Sequence, residues 1–417
     1  MPGFYNIPDM KEDTKILDLT PDVKWIGVLD PDIKTFDIVM HTDHGTTYNS
    51  YFINAEKKTV IETAKEKFSD TYLSKLRRVT DPADIAYIVL DHTEPDHSGA
   101  MRQLLDLAPS AVVVGSGNAI RYLSDIVNRP FKSLVVKDGD TLDLGNKTLK
   151  FISAPNLHWP DSIYTWLVED RILFTCDSFG AHYCNEEMFD DLAGDYSEDF
   201  RYYFDVILKP YSKFMIKAIE KIRPLDISMI ATGHGPILRK GWKKIVDDTH
   251  DLASAYLKLT EESEEKRVLI TYVSAYGYTR EMAELIARGV SEINNVVAEV
   301  MDIETADVGE IDSKLTIADG IIVGSPTINQ NTLLQVYKLA AMVSPLRDRG
   351  KLAGSFGSYG WSGEAPGLIA EMLKNLKLRF FESPAAYKFV PGNDKEKELV
   401  SYGERFAREL MAVKAEA

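Results

Sequence analysis

The chain has 417 residues and a formal charge of −16, which exceeds what one hydrophobic core serves and suggests two domains. Such acidity argues against a nucleic-acid partner, since a phosphate backbone needs a basic surface. No apolar run reaches membrane-spanning length, the N-terminus lacks a signal-peptide pattern, and no internal repeat is visible, so a cytoplasmic enzyme is expected. Two cysteines, Cys176 and Cys184, are too few for a disulfide framework or a four-Cys metal site.

In chain order, the first informative segment is the apolar, strand-like run Ile85 to Leu90. It leads into His92-Thr93-Glu94-Pro95-Asp96-His97, an HxExDH pattern that crowds two imidazoles and two carboxylates into one turn. Unpaired carboxylates there would repel one another, and a di- or trivalent cation removes the repulsion. Three further candidates sit where strands end. His158 follows Leu149 to Ile152, Asp177 ends Ile172 to Cys176, and His234 follows Ile227 to Ile230. Strand-end loops on a rigid scaffold are where reactive groups are usually presented. Cys176, beside Asp177, reads as a small buried hydrophobe. Arg239, Lys240, Lys243 and Lys244 follow His234 and read either as a solvated helix start or as a docking patch for an acidic electron carrier. His182 and His250 are expected as surface or packing residues, and His41 is undecided.

The charged run Glu261 to Lys266 suggests a boundary, with domains over 1–264 and 265–417. Beyond it, Arg267 to Val273 reads as a buried parallel strand. It runs into Ser274-Ala275-Tyr276-Gly277-Tyr278-Thr279 and an amphipathic helix from Arg280 to Ile293. Such a turn aims hydroxyls and backbone N–H groups at one point, where the helix dipole favours a phosphate. Two more strands, Ala318 to Val323 and Lys351 to Phe356, end in loops containing Ser325-Pro326-Thr327-Ile328-Asn329 and Ser358-Tyr359-Gly360-Trp361-Ser362-Gly363. All three loops would lie at the carboxyl ends of parallel strands, the ligand crevice of open α/β sheets. Tyr359 and Trp361 offer flat surfaces to a planar ring.

The first half resembles the metallo-β-lactamase fold, whose motif is HxHxDH followed by distant His, Asp and His; here Glu94 stands at the second His. With HWPDS (158–162) and GTTYNSY (45–51), the chain resembles the flavodiiron proteins, or A-type flavoproteins. The resemblance implies an α/β chain: an N-terminal metallo-β-lactamase-like αββα sandwich, then a flavodoxin-like doubly wound parallel sheet. It implies two non-haem irons. One would take His92, Glu94 and His158, the other Asp96, His97 and His234, with Asp177 bridging. His44 would lie near the metal pocket as a proton source, and the three later loops would bind FMN rather than FAD.

A reduced flavin and a diferrous pair would together hold four electrons, enough to take dioxygen to two waters or to reduce nitric oxide to nitrous oxide. Rubredoxin, or coenzyme F420, would donate electrons, and the chain would form a head-to-tail homodimer or a dimer of dimers. The alternative is a metallo-β-lactamase-type hydrolase with a regulatory flavodoxin-like half. Glu94 and the complete set of flavin loops speak against it.

Overall fold

The structure, a computed structural model, describes residues 13–37, 40–259, 265–345, 347–390 and 392–412. The chain forms two compact units, Met1–Leu257 and Lys258–Ala417. Most of the charged run expected as a boundary, 261–264, lies outside the described residues.

Two sheets make up the first unit. One has seven strands in the order Leu17–Asp18, Val23–Trp25, Tyr51–Ile53, Thr59–Ile61, Tyr87–Val89, Val112–Gly115 and Lys132–Val135; the last four run parallel. The other has five, Thr141–Asp143, Thr148–Ser153, Ile163–Leu167, Ile172–Cys176 and Met229–Thr232. Successive strand residues point to opposite faces, so neighbours in sequence serve different layers. Val89, Phe151 and Phe174 join Trp25 and Tyr51 in the core between the sheets. Their neighbours face outward. Ile88 packs with Leu73, Leu76, Leu104 and Leu123 of the helices Ser69–Val79, Met101–Leu107 and Gly117–Val127. Ile152 and Leu173 pack with Met215, Ile219 and Val246 of the helices Ser212–Ile222 and Trp242–Leu259. With helices against both outer faces, the unit is the αββα sandwich that the resemblance implies. Burial on both faces explains why its strands read as continuous apolar runs.

The second unit is a parallel sheet in the order Val296–Asp302, Lys266–Tyr272, Gly320–Gly324 and Leu352–Tyr359. Two short segments, Arg379–Phe380 and Ala385–Lys388, share its fifth position beside Leu352–Tyr359. This 2-1-3-4-5 order is that of flavodoxin-like folds. Ile270 and Ile322 face the helices Tyr278–Ser291 and Asn393–Ala412, while Leu269, Ile321 and Val323 face Val308–Ile317, Leu334–Met342 and Ala365–Asn375. Helices Tyr278–Ser291 and Asn393–Ala412 touch through glycines. A Cβ on Gly289 would lie 1.9 Å from the Val400 carbonyl oxygen, and one on Gly403 would lie 2.1 Å from that of Ile286.

Candidate metal and flavin sites

The metal loop leaves strand Tyr87–Val89 through Asp91 and His92, and Pro95 opens a one-turn helix, Pro95–Ser98, capped by Glu94. Proline suits that first helical position because its missing N–H has no partner to lose. The turn sends the four donors into two groups. Glu94 Oε2 lies 3.2 Å from His92 Nε2 and 2.9 Å from His158 Nε2. Asp96 Oδ2 lies 3.4 Å from His97 Nε2 and 3.1 Å from His234 Nε2.

Asp177 stands between the groups. Its Oδ2 is 3.5 Å from both His92 Nε2 and His158 Nε2, whereas its Oδ1 is 3.0 Å from His97 Nε2 and 3.5 Å from His234 Nε2. A register shift between Phe174 and Cys176, with Cys176 at φ 46°, turns the chain just before this aspartate. Gly233 lets the strand end approach, since a Cβ there would lie 2.9 Å from His97 Cε1 and 2.8 Å from the Cys176 carbonyl carbon.

All seven expected ligands therefore converge, and their chemistry fits two cations. Asp96 Oδ1 and Asp177 Oδ2 are buried with no hydrogen-bond partner among the described residues. Burial alone would raise the Asp177 carboxyl, but His97, His92 and His158 hold it well below the usual carboxylate range. Burial alone would lower His97, yet Asp96 and Asp177 raise it to about 10. Such mutual stabilisation is what a cation replaces when it enters. An oxygen-rich, mixed N/O donor set favours iron over zinc.

The rings are held from behind, as metal-binding histidines usually are. His234 Nδ1 donates to the Thr47 carbonyl at 2.5 Å, and His92 Nδ1 lies 3.3 Å from Asp161 Oδ2. Sequence reasoning assigned neither partner, although both fall inside segments it singled out. His182, expected as a surface or packing residue, is buried, stacks on Phe36 at 4.2 Å and sits 5.1 Å from the His234 ring. Burial and the neighbouring His234 hold it well below the ordinary histidine range. A packing role fits; a surface position does not. His44 is more than half exposed and pairs with Asp199 at 2.9 Å. His41 pairs with Asp43 at the surface, and His250 lies 3.5 Å from Asp251.

Of the four cations after His234, Arg239 and Lys240 both pair with Asp191, and Lys244 pairs with Asp248. The cluster thus presents less unpaired charge than its sequence does.

In the second unit the three loops meet at the carboxyl end of the sheet. Thr279 Oγ1 and Ser358 Oγ are 3.0 Å apart, Thr327 N donates to the Ser358 carbonyl at 2.9 Å, and Ala365 N donates to Thr327 Oγ1 at 3.1 Å. Ser274 Oγ accepts from Gly277 N at 3.1 Å, and Leu333 N donates to Ser325 Oγ at 3.2 Å. Gly277 (φ 87°) is the N-cap of the 14-residue helix Tyr278–Ser291 and has no side chain to cap it; of the first-turn amides, Arg280 N reaches Ser274 Oγ at 3.4 Å. Uncapped amides at a helix start suit a phosphate. Tyr276 and Trp361 are each 83% exposed, so flat rings flank the loops and stand largely open, as a planar cofactor requires. Ile328 is partly exposed, and Asn329 takes a positive φ of 53° that shapes the middle loop.

Comparison with known proteins agrees with both halves. Residues 46–235 match the family described as ODP family beta lactamase, and residues 270–403 match flavodoxin. A type A flavoprotein of Rhodobacter capsulatus is 39% identical over 396 residues, covering 94% of this chain and 91% of its own. A flavo-diiron protein of Clostridium acetobutylicum is 39% identical over 393 residues, covering 92% and 97%. Among solved structures, the rubredoxin oxygen:oxidoreductase of Desulfovibrio gigas superposes with a TM-score of 0.68 at 28% identity, covering 96% of this chain and all of that one.

Proposed function

The chain belongs to the flavodiiron, or type A flavoprotein, family, and from that premise we propose that it is an oxidoreductase that reduces dioxygen to water, nitric oxide to nitrous oxide, or both. The flavodoxin-like unit holds FMN through Ser274–Thr279, Ser325–Asn329 and Ser358–Gly363. The first unit holds two non-haem irons through the two groups that share Asp177. When bound, the irons would supply the redox chemistry for a diatomic gas and the flavin would supply electrons taken from an external donor.

The observation that carries this reading is the division of the Asp177 carboxylate, one oxygen toward His92 and His158 and the other toward His97 and His234. A carboxylate so placed would serve both cations, and Glu94 and Asp96 would add negative charge that favours their oxidised forms. Thr47 and Asp161 keep the imidazoles pointed inward. We further propose that His44, oriented by Asp199, supplies protons to the pocket. The relative from D. gigas is named for rubredoxin and oxygen; a rubredoxin-type donor is accordingly the first choice for this chain, and coenzyme F420 the second. A head-to-tail homodimer would place the flavin of one chain near the irons of its partner.

Metal analysis with an absorption spectrum of the purified protein tests the core of this reading. Two irons and one flavin per chain are expected. Zinc without flavin would instead identify a metallo-β-lactamase-type hydrolase.

A further inference from the structure

Glu62 is a buried acid with no part in either ligand group. It directly follows strand Thr59–Ile61 and is 2% exposed. Its φ of 60° lies in the left-handed region that residues with a Cβ avoid, so its surroundings must hold it there. They do so through two bonds: Glu62 N donates to the Val89 carbonyl at 2.9 Å, and Ser50 Oγ donates to the Glu62 carbonyl at 2.8 Å. The side chain is thereby aimed at the metal loop. Oε1 accepts from the backbone amides of Asp91 at 2.6 Å and His92 at 3.2 Å.

The other oxygen faces the far end of the same loop. Oε2 lies 3.9 Å from His97 Nδ1, and both atoms are buried without a hydrogen-bond partner among the described residues. The next residue grips His97 as well, because Thr63 N and Thr63 Oγ1 donate to the His97 carbonyl at 2.8 and 2.6 Å. Two consecutive residues thus clamp the loop at both its first and its last metal ligand.

For His97 to bind a cation through Nε2, its Nδ1 must carry the proton, and that buried N–H needs an acceptor. The Glu62 carboxylate faces it at 3.9 Å, and the Cys176 sulfur belongs to the same group of donors, all within 4.8 Å of one another. Thiol sulfur is a weak acceptor, so the carboxylate is the better partner. A closing movement of about 1 Å brings Oε2 to ordinary hydrogen-bond distance.

We propose that Glu62 is the positioning residue of the second iron: one oxygen fixes the start of the metal loop, and the other accepts from His97 Nδ1–H to aim Nε2 at the cation. The inference rests on the iron pair proposed above. It requires a carboxylate rather than an amide, since Glu62 faces donors on two sides and glutamine has a single acceptor oxygen.

Anaerobic titration of the full FMN-loaded chain with Fe(II), read by binding isotherm and Mössbauer spectrum, tests the proposal. Wild type should take up two irons. Glu62→Gln should bind one iron as wild type does and the second about 10- to 100-fold more weakly, with the signature of a coupled pair lost. Glu62→Asp keeps both acceptors and should recover part of the second affinity; it also serves as the test should the Gln variant fail to fold. Unchanged binding of both irons by Glu62→Gln overturns the proposal. Equal weakening at both sites also overturns it, because that would mark a merely structural residue. So does an Asp variant no better than Gln. No gas is present in the titration, so failure to reduce oxygen or nitric oxide leaves this inference standing, whereas a wild-type chain that binds no iron pair overturns the functional reading itself.

Discussion

Asp161 and His92 meet through one carboxylate oxygen: Asp161 Oδ2 lies 3.3 Å from the ring Nδ1 and also accepts from Thr93 N at 2.8 Å and Thr93 Oγ1 at 2.7 Å. Three donors on one buried oxygen leave the imidazole little freedom to turn. Replacing Asp161 by Ala should weaken the iron held by His92, Glu94 and His158 by about 10- to 100-fold and spare the other iron. Fe(II) titration of the variant checks this, and two wild-type affinities would refute the orienting role.

Asp177 serves both groups, so its loss should not be selective. Asp177→Asn keeps the volume but removes the shared charge and one acceptor oxygen. Iron content should fall at both positions, the Mössbauer signature of a coupled pair should vanish, and turnover should drop by more than the roughly 100-fold of a lost outer partner. A fully active Asp177→Asn protein with normal iron would falsify the bridging role.

At the flavin site, the hydroxyl pair Thr279–Ser358 ties the first loop to the third. Thr279→Val keeps the shape and leaves Ser358 Oγ, itself buried, short of a partner. An unsatisfied buried hydroxyl costs about 1–3 kcal/mol, so FMN affinity should fall by about tenfold or more, read by quenching of flavin fluorescence on binding. Flavin released from wild type by denaturation should be FMN. Recovery of FAD would overturn the assignment of the loops.

Gly289 carries a stability prediction independent of any cofactor. Its Cα faces the Val400 carbonyl so closely that a Cβ would sit 1.9 Å from that oxygen, and both atoms belong to helix backbones that cannot rotate away. Gly289→Ala should therefore destabilise the flavodoxin-like unit by about 1–3 kcal/mol, although alanine is the better helix former. Chemical denaturation of the flavin-free protein, followed by circular dichroism, measures it, and an Ala variant as stable as wild type contradicts the packing argument.

The proposed cross-subunit route predicts complementation. A chain with His97→Ala and a chain with Ser325–Asn329 replaced should each be inactive as homodimers. Mixed dimers should recover part of the activity, since one intact flavin then faces one intact iron pair. Purified mixed dimers no faster than either parent, with both parents folded and dimeric, would place electron transfer within one chain.

What the sequence made legible follows from locality. His92, Glu94, Asp96 and His97 announce themselves because four donors fall within six residues, and His158, Asp177 and His234 because each sits where an apolar strand ends. The parallel strands of the second unit are legible as apolar runs alternating with helices, whereas their doubly wound arrangement was only implied by the family resemblance. The supporting residues were not legible. Glu62 stands in an ordinary run, Thr59-Val60-Ile61-Glu62-Thr63, and acquires its role only when that strand is laid parallel beside Tyr87–Val89. His182 follows the Asp177 turn in an irregular segment, Gly180-Ala181-His182-Tyr183-Cys184, and only the fold brings Phe36 and His234 around it. The cations after His234 show the same dependence on the fold: their adjacency left a solvated helix start and a docking patch both open, and only the structure shows Asp191, about 50 residues earlier, paired with Arg239 and Lys240.

A single-turnover experiment tests the central claim most directly. The protein, loaded with FMN and iron and fully reduced without oxygen, is mixed with a limiting amount of dioxygen or of nitric oxide while flavin absorbance, gas and products are followed. The account predicts reoxidation of flavin and iron together with consumption of one dioxygen per four electrons and no hydrogen peroxide, or formation of one nitrous oxide from two nitric oxides. Flavin and iron that stay reduced in the presence of both gases, or peroxide as the product of dioxygen, would contradict it.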